Sequence, residues 1–424
     1  MKLPMLSTLA AAATAALMIA VTPLAAFAQD AKPLVFWERS GGNEAMVHLL
    51  IDAWNAKNPQ RPIEMTMIPN AEMVPKLAQA MASGEVPDLM GMDLIYGPQF
   101  EAAGQLEDIT DRIKDWPELK TASPGHMMVS TYENRLYGVP LYADVSVLYW
   151  NKRLFKEAGL DPEVGPQTMD EIYEMAKKIN GVEDGAYGFF LAGSCPGCNI
   201  FTFAPYIWAN GGTVEPRDAA DEPLQGDAVK KVFEWSRKMW KEGLINPTAQ
   251  AVNPENFHLQ FATDKIGIFG TGNFNLALLK DQNPSMFDQV GVGFLPGFEK
   301  GKSASFAGGD IVTIPKGSKR VDDAVDFMKF ILSDEVQVEV YAKNLNLTTR
   351  SDMADNKYFT DPRIVKMAQA IGVARTPYTL KFFEIINSMQ GPWLAGLQRV
   401  WFTDDPIDTI IADMKAQFSE IAKE

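Results

Sequence analysis

Between residues 34 and 92, three short apolar runs alternate with two amphipathic stretches, and that spacing leaves few folds open. Leu34-Val35-Phe36-Trp37 is a continuous apolar run that ends in Glu38-Arg39-Ser40-Gly41-Gly42. Asn43 is placed to cap a helix with Met46, Leu49, Leu50, Ala53 and Trp54 on one face, stopped by Asn58-Pro59. Ile63-Glu64-Met65-Thr66-Met67 reads as a second strand. A second helix from about Ala71 turns Met73, Leu77, Ala80 and Met81 inward, and Gly84 stops it. Val86 to Met92 is the third strand. Strand and helix alternating over such short connections predict a parallel sheet wound by helices. Ligands of such sheets sit beyond the carboxyl ends of the strands, which is where Asp93 and Tyr96 emerge.

A second region follows the same grammar. Gly138-Val139-Pro140-Leu141-Tyr142-Ala143-Asp144 leads into Ser146-Val147-Leu148-Tyr149-Trp150-Asn151-Lys152. Thr168-Met169-Asp170-Glu171 is a capping box opening a helix through Ile179. Tyr187 to Leu191 is strand-like, and a helix from about Asp227 to Glu242 ends at Gly243. Lys265 to Gly270 is another strand, leaving through Thr271-Gly272-Asn273-Phe274. Gly308-Gly309 forms a glycine hinge before the strand Asp310-Ile311-Val312-Thr313-Ile314, and Ser318 is placed to cap a helix from Val321 to Leu332. Two further helical segments carry Trp393 with Leu397, and Ile407 to Ile421. No Pro/Ser-rich spacer separates these regions, which fits lobes joined by several short crossings.

Residues 1–28 stand apart. Lys2 is the only charge before Asp30, and an apolar middle ends in Ala26-Phe27-Ala28, the pattern of a secretory signal peptide cleaved after about Ala28. An exported, periplasmic protein is expected. The formal charge of −15, from 39 basic and 54 acidic residues, argues against nucleic acid as a partner. The 46% of hydrophobic residues can fill two or three domain-sized cores. The three His are scattered without metal-ligand spacing, so neither a metal nor another cofactor is expected. The two Cys, Cys195 and Cys198, lie in Ser194-Cys195-Pro196-Gly197-Cys198. In an oxidising compartment they are expected to form a disulfide. Cys-x-x-Cys before a helix is also the pattern of a thiol-disulfide oxidoreductase, which stays open as an alternative.

Several stretches, in order, resemble the extracellular solute-binding proteins of ABC importers, in the carbohydrate-binding, maltose-binding-protein-like group. They are Leu34 to Trp37, the Gly-x-x-Pro-Asp stretch Gly84 to Leu89, and Leu136 to Pro140 with Leu148 to Lys152. Asn210-Gly211-Gly212 after a helix bearing Trp208, Gly308 to Ser318, and Leu347-Thr348-Thr349-Arg350 complete the set. The resemblance implies an α/β, two-lobed, type II periplasmic-binding-protein-like fold, each lobe a wound sheet flanked by helices. It places a first lobe at 29–142 and 308–347, and a second at 143–307 and 348–424. It also implies a monomeric, non-enzymatic protein that captures a sugar by lobe closure and delivers it to inner-membrane permease subunits.

Sugar recognition needs flat aromatic faces and a dense set of donors and acceptors. Strand ends and crossings supply candidates: Glu38, Arg39 and Ser40 after the first strand, Asp93 and Tyr96 after the third, and Tyr142 and Asp144 at the first crossing. Asn199, Phe201 and Trp208 follow the Cys-Pro-Gly-Cys turn. Asn273 and Phe274 come from the Gly-x-Asn-Phe turn, Asp310 from the second crossing, Arg350 from the third and Trp393 from the C-terminal region. Phe274 stands where maltose-binding protein carries a Trp. Trp37 and Trp54 are read as core and Asp88 as structural. Two carboxylates of the cleft working as acid and base in a polysaccharide-acting enzyme are a rival reading. A glycerophosphodiester or polyamine is the alternative ligand: an anion would need Arg39 and Arg350 both in the cleft, and a cation would need the acids without them.

Overall fold

The computed structural model describes residues 32–40, 43–69 and 72–424. The signal-like segment, Gly41-Gly42 and the expected helix start at Ala71 therefore lie outside the described residues.

The first lobe is built as its spacing predicts. Strands β1 (Leu34–Arg39), β2 (Ile63–Ile68) and β3 (Leu89–Asp93) are parallel, with β1 in the middle. The third strand begins three residues later than expected. Asp88 uses its carboxylate to accept the Val35 N–H at 3.0 Å and its own N–H to reach the Val35 carbonyl at 2.9 Å. The intervening helices are Glu44–Lys57, whose first turn is capped by Asn43 accepting from the Met46 N–H (3.2 Å), and Met73–Ser83. Gly84 ends the latter at φ +73°, a conformation that glycine adopts without steric cost.

After the hairpin β4 (Thr131–Tyr132) and β5 (Arg135–Leu136), the chain enters β6 (Gly138–Asn151), one continuous strand of 14 residues. The second lobe adds β7 (Tyr187–Phe189), β8 (Ile266–Gly272), β9 (Val290–Gly293) and β10 (Leu295–Pro296). Then β11 (Ser303–Thr313) runs back, and β12 (Ala374–Arg375) pairs with its beginning. The strand order is β2-β1-β3-β11-β6-β8-β7. Along β6, Gly138 to Val145 pair with β11, whereas Ser146 to Trp150 pair with β8. Along β11, Asp310 to Thr313 pair with β3. These two antiparallel strands are thus shared by both lobes and are its first two crossings. The Gly308-Gly309 pair lies inside β11 rather than ahead of it. Gly309 has φ +107°, and the register with β6 shifts just beyond it, between Asp310 and Ile311.

Each lobe has its own aromatic packing. Helix Val321–Leu332 returns to the first lobe, where Phe327 meets Phe36 and Trp54 edge-on at 6.0 and 5.6 Å. Ser318 does not cap this helix, which starts after Arg320. Its hydroxyl accepts from the Arg320 N–H and donates to Asp88 instead. In the second lobe, helices Asp227–Lys241 and Pro392–Phe402 pack together, and Trp401 donates its indole N–H to Ser236 at 3.0 Å.

Candidate functional site

Register alone assembles the centre of the site. Asp310 on β11 is flanked by Asp93 on β3 and Tyr142 on β6, and Gly308 pairs with Asp144. Arg39, the last residue of β1, reaches across this row. Its Nε donates to both oxygens of Asp310 (2.9 and 2.8 Å) and its Nη2 to Oδ1 at 2.5 Å, with Tyr142 Oη at 3.3 Å and Asp93 at 3.5 Å. Burial alone would weaken the guanidinium's hold on its proton. The charges of Asp310 and then Asp93 more than reverse this, and its pKa lies well above the ordinary value.

Glu38 is fully buried beside Gly91, where an added Cβ would sit 1.8 Å from its Oε2. Burial first, and the neighbouring Asp310 charge second, raise its pKa well above the ordinary carboxylate value.

The crossing strand is clamped from several sides. His126 is completely buried. A carbonyl can only accept, so its Nε2 donates to the Tyr142 carbonyl (3.0 Å) and its Nδ1 accepts from Ser123 (2.8 Å). Burial lowers its pKa to about 4, consistent with a neutral ring. Tyr341 donates its hydroxyl to the Leu141 carbonyl, and the Val145 N–H donates to Asn273 Oδ1 at 2.8 Å. Asp144 projects from this braced segment. Its Oδ1 is sealed from solvent with no hydrogen-bond partner, 2.0 Å from where a Cβ on Gly308 would lie. Burial, followed by the Asp93 charge, raises Asp144 to about 7. Burial likewise raises Asp93 to about 6, against the pull of Arg39.

Beyond these groups a cavity of about 310 Å³ opens between the lobes. Its lining brings together Arg39, Asp93, Asp144 and Gly308 with Phe201, Phe274, Phe306, Cys198 and His258. Phe201 stacks on Phe274 (6.3 Å, 22°) and meets Phe306 edge-on at 5.3 Å. Cys195 and Cys198 are joined by a disulfide that starts helix Pro196–Thr202, the element carrying Phe201.

Five expected residues therefore line the cavity: Arg39, Asp93, Asp144, Phe201 and Phe274. Asp310 and Tyr142 contact Arg39 without lining the cavity, and Glu38 is buried beside Gly91. Tyr96 is half-buried nearby, its hydroxyl pKa raised by burial and then by the Asp93 charge.

The remaining candidates do not line the cavity. Ser40 extends the β1–β2 ladder through its N–H to Ile68 (2.8 Å) and does not line the cavity. Asn199 is buried, with its amide on the Ala192 carbonyl, and Asn273 clamps the crossing. Trp208 packs behind Phe306, stacked at 6.0 Å, with the Arg375 guanidinium 4.7 Å from its ring. Arg350 is tied to the Leu332 carbonyl, Asp334 and Asp352, so its fork is occupied away from the cavity. Trp393 is wholly buried in the second lobe and presents no face to the cavity.

Phe306, Phe257, His258, Phe382 and Asn387 line the cavity without having been expected there. For Phe306 a signal existed: it lies two residues before Gly308 on the same face of β11.

Two α/β lobes, two shared strands and a cavity at their crossing define a solute-binding protein. The chain belongs to the bacterial extracellular solute-binding proteins, whose family model matches residues 40–338. It is 24% identical over 331 residues to a multiple sugar-binding protein of Streptococcus mutans, covering 74% of each chain. It is 26% identical over 271 residues to a diacetylchitobiose-binding protein of Streptomyces coelicolor, covering 62% of this chain and 60% of that one. In fold it is similar to the sugar-binding protein MalE of Xanthomonas citri, with TM-score 0.80 at 20% identity over 92% of this chain and 97% of that one. A Thermotoga lettingae solute-binding protein solved with α-D-tagatose matches at TM-score 0.75 and 22% identity, over 92% of this chain and 100% of that one.

Proposed function

We propose that this chain is the exported, substrate-capturing component of an ABC importer, and that its ligand is a sugar, whether oligosaccharide, monosaccharide or polyol. One observation carries the reading: Arg39, Asp93 and Asp144 share the lining of one cavity with Phe201, Phe274 and Phe306. Hydroxyls find acceptors in the carboxylates and sugar C–H faces find rings in the same lining. The cavity's size lies at the low end of small-molecule sites, about 300–1,000 Å³. Relatives named for sugars support the same class. A phosphodiester or sugar acid fits less well, because Arg39 is already matched by Asp310 and Arg350 is engaged elsewhere.

In this reading the lobes are 29–142 with 308–347, and 143–307 with 348–424. They close about Tyr142 to Val145 and Ala307 to Asp310. The chain is a monomer, residues 1–28 are removed on export, and the closed form is what the permease subunits recognise. No bond of the ligand is made or broken. The disulfide holds the helix of Phe201 and is not a redox centre.

A thermal-shift panel of saccharides, polyols, sugar acids, phosphodiesters and polyamines tests this. A ligand at 100 times its Kd adds about 2.7 kcal/mol of stability. A shift confined to neutral or amino saccharides or polyols, with the sugar recovered intact, supports the reading. A shift from anions or polyamines alone, or turnover of the sugar, overturns it.

A further inference from the structure

The cavity lining carries more acid than the sugar reading alone requires. Among the described lining residues, Arg39 is the only Lys or Arg, and both Asp310 oxygens already accept from it. That pair is internally neutral. Asp93 is left with a 3.5 Å approach to the same guanidinium and an Ile95 N–H at 3.3 Å. Asp144 is left with nothing on its buried Oδ1. A buried acceptor without a donor is unfavourable, more so when charged, so the site holds an unmet demand for a charged donor. Phe201, Phe274 and Phe306 share the lining with these acids, and an aromatic ring attracts a cation through its negative face. The acids favour positive charge, and a phosphate or carboxylate would meet repulsion from them.

We infer that the saccharide taken by this site carries a free protonated amine, seated between Asp144 and Asp93 with a C–H face of its ring on the phenyl wall. The inference rests on the sugar reading above and narrows it from neutral sugars to amino sugars. The upward displacement of Asp144 fits the same picture. Burial and Asp93 hold its carboxyl near 7, Arg39 pulls it down, Asp310 pushes it up, and an ammonium in contact would return it to the ionised form.

The test is titration calorimetry of the full mature chain with three β-1,4-linked disaccharides of one shape. They are glucosamine disaccharide, its N,N′-diacetyl form and cellobiose, at about pH 6 where the amines are charged. The amine-bearing sugar should bind at least about tenfold more tightly than either neutral one. Asp144→Asn, and independently Asp93→Asn, should collapse that ratio toward one. If either variant fails to fold, the wild-type ratio decides by itself. Equal or tighter binding of cellobiose, of the diacetyl form or of any other neutral saccharide overturns the inference and leaves the sugar reading standing. Binding of spermidine with no saccharide bound at all overturns the sugar reading, and the inference with it.

Discussion

Asp144→Asn should make the ligand-free protein more stable at alkaline pH while impairing its site. In the folded protein the carboxyl titrates near 7, against 3.8 for an unperturbed Asp, chiefly because burial disfavours the charged form. A raised carboxyl pKa means that the folded state keeps a proton which the unfolded chain has already released. Stability from this group is therefore fully present below 3.8, falls by about 1.36 kcal/mol per pH unit as pH rises toward 7, and is flat above that. Between about pH 5 and pH 8 the wild type should lose about 3 kcal/mol that an Asn at this position does not lose. With about 2.1 cal/mol/K of unfolding entropy per residue, that corresponds to roughly 3 °C in Tm. The assay is thermal unfolding of both proteins, without ligand, at both pH values. Asp93, whose pKa is raised to about 6, contributes a slope of its own to both proteins. The difference between the two proteins, not either curve alone, isolates Asp144. A variant-minus-wild-type difference that is the same at pH 5 and pH 8 would refute the reasoning, because Asp144 would then not be a buried acid in need of a partner.

Three further outcomes are expected. Gly308→Ala places a methyl 2.0 Å from Asp144 Oδ1, so the carboxylate must move. Calorimetry should show affinity lowered by about as much as in Asp144→Asn, with overpacking taking a further 1–3 kcal/mol or so from stability. Phe274 is 40% exposed, so Phe274→Ala should leave Tm within about a degree while weakening binding by about 0.5–1.5 kcal/mol, the worth of a stacked ring. Reducing the Cys195–Cys198 bridge opens a loop with a sequence separation of only 3. Loop entropy is small for so short a span, so Tm should change little while affinity falls severalfold as the wall carrying Phe201 loosens. Unchanged affinity after verified reduction would mean that the bridge has no part in binding.

The elements that could be read from the chain were those whose signals are local. Thr168 accepts from the Glu171 N–H at 3.1 Å, as its capping box requires, although the Glu171 carboxylate reaches back to Gln167 rather than to Thr168. Asn43 and Gly84 cap as their residue types predict, because cap chemistry depends on a few neighbouring backbone groups. Charged groups at strand ends were also legible: a strand's direction tells where its last residues point, and Arg39 and Asp93 end β1 and β3 accordingly, whereas Asp144 and Asp310 lie inside the crossing strands β6 and β11.

Burial of large side chains was not legible in this way. Trp208, Trp393 and Arg350 have the chemistry of ligand contacts, yet packing between distant segments put the two indoles in the interior and matched the guanidinium to Asp334 and Asp352. Phe382 and Asn387 reach the cavity around the π-helical turn Phe383–Asn387, an irregular element without a periodic pattern to announce it.

The central claim is that one ligand is held by both lobes at the crossing of β6 and β11. Hydrogen exchange of the mature protein, with and without the saccharide found by the thermal-shift panel, addresses it most directly. Protection should rise together at Arg39 and Asp93–Tyr96 in the first lobe, at Tyr142–Val145 in the crossing, and at Cys198–Phe201 and Phe274 in the second lobe. Protection confined to one lobe, or centred on the separate surface groove around Tyr173 and Lys238, would contradict it.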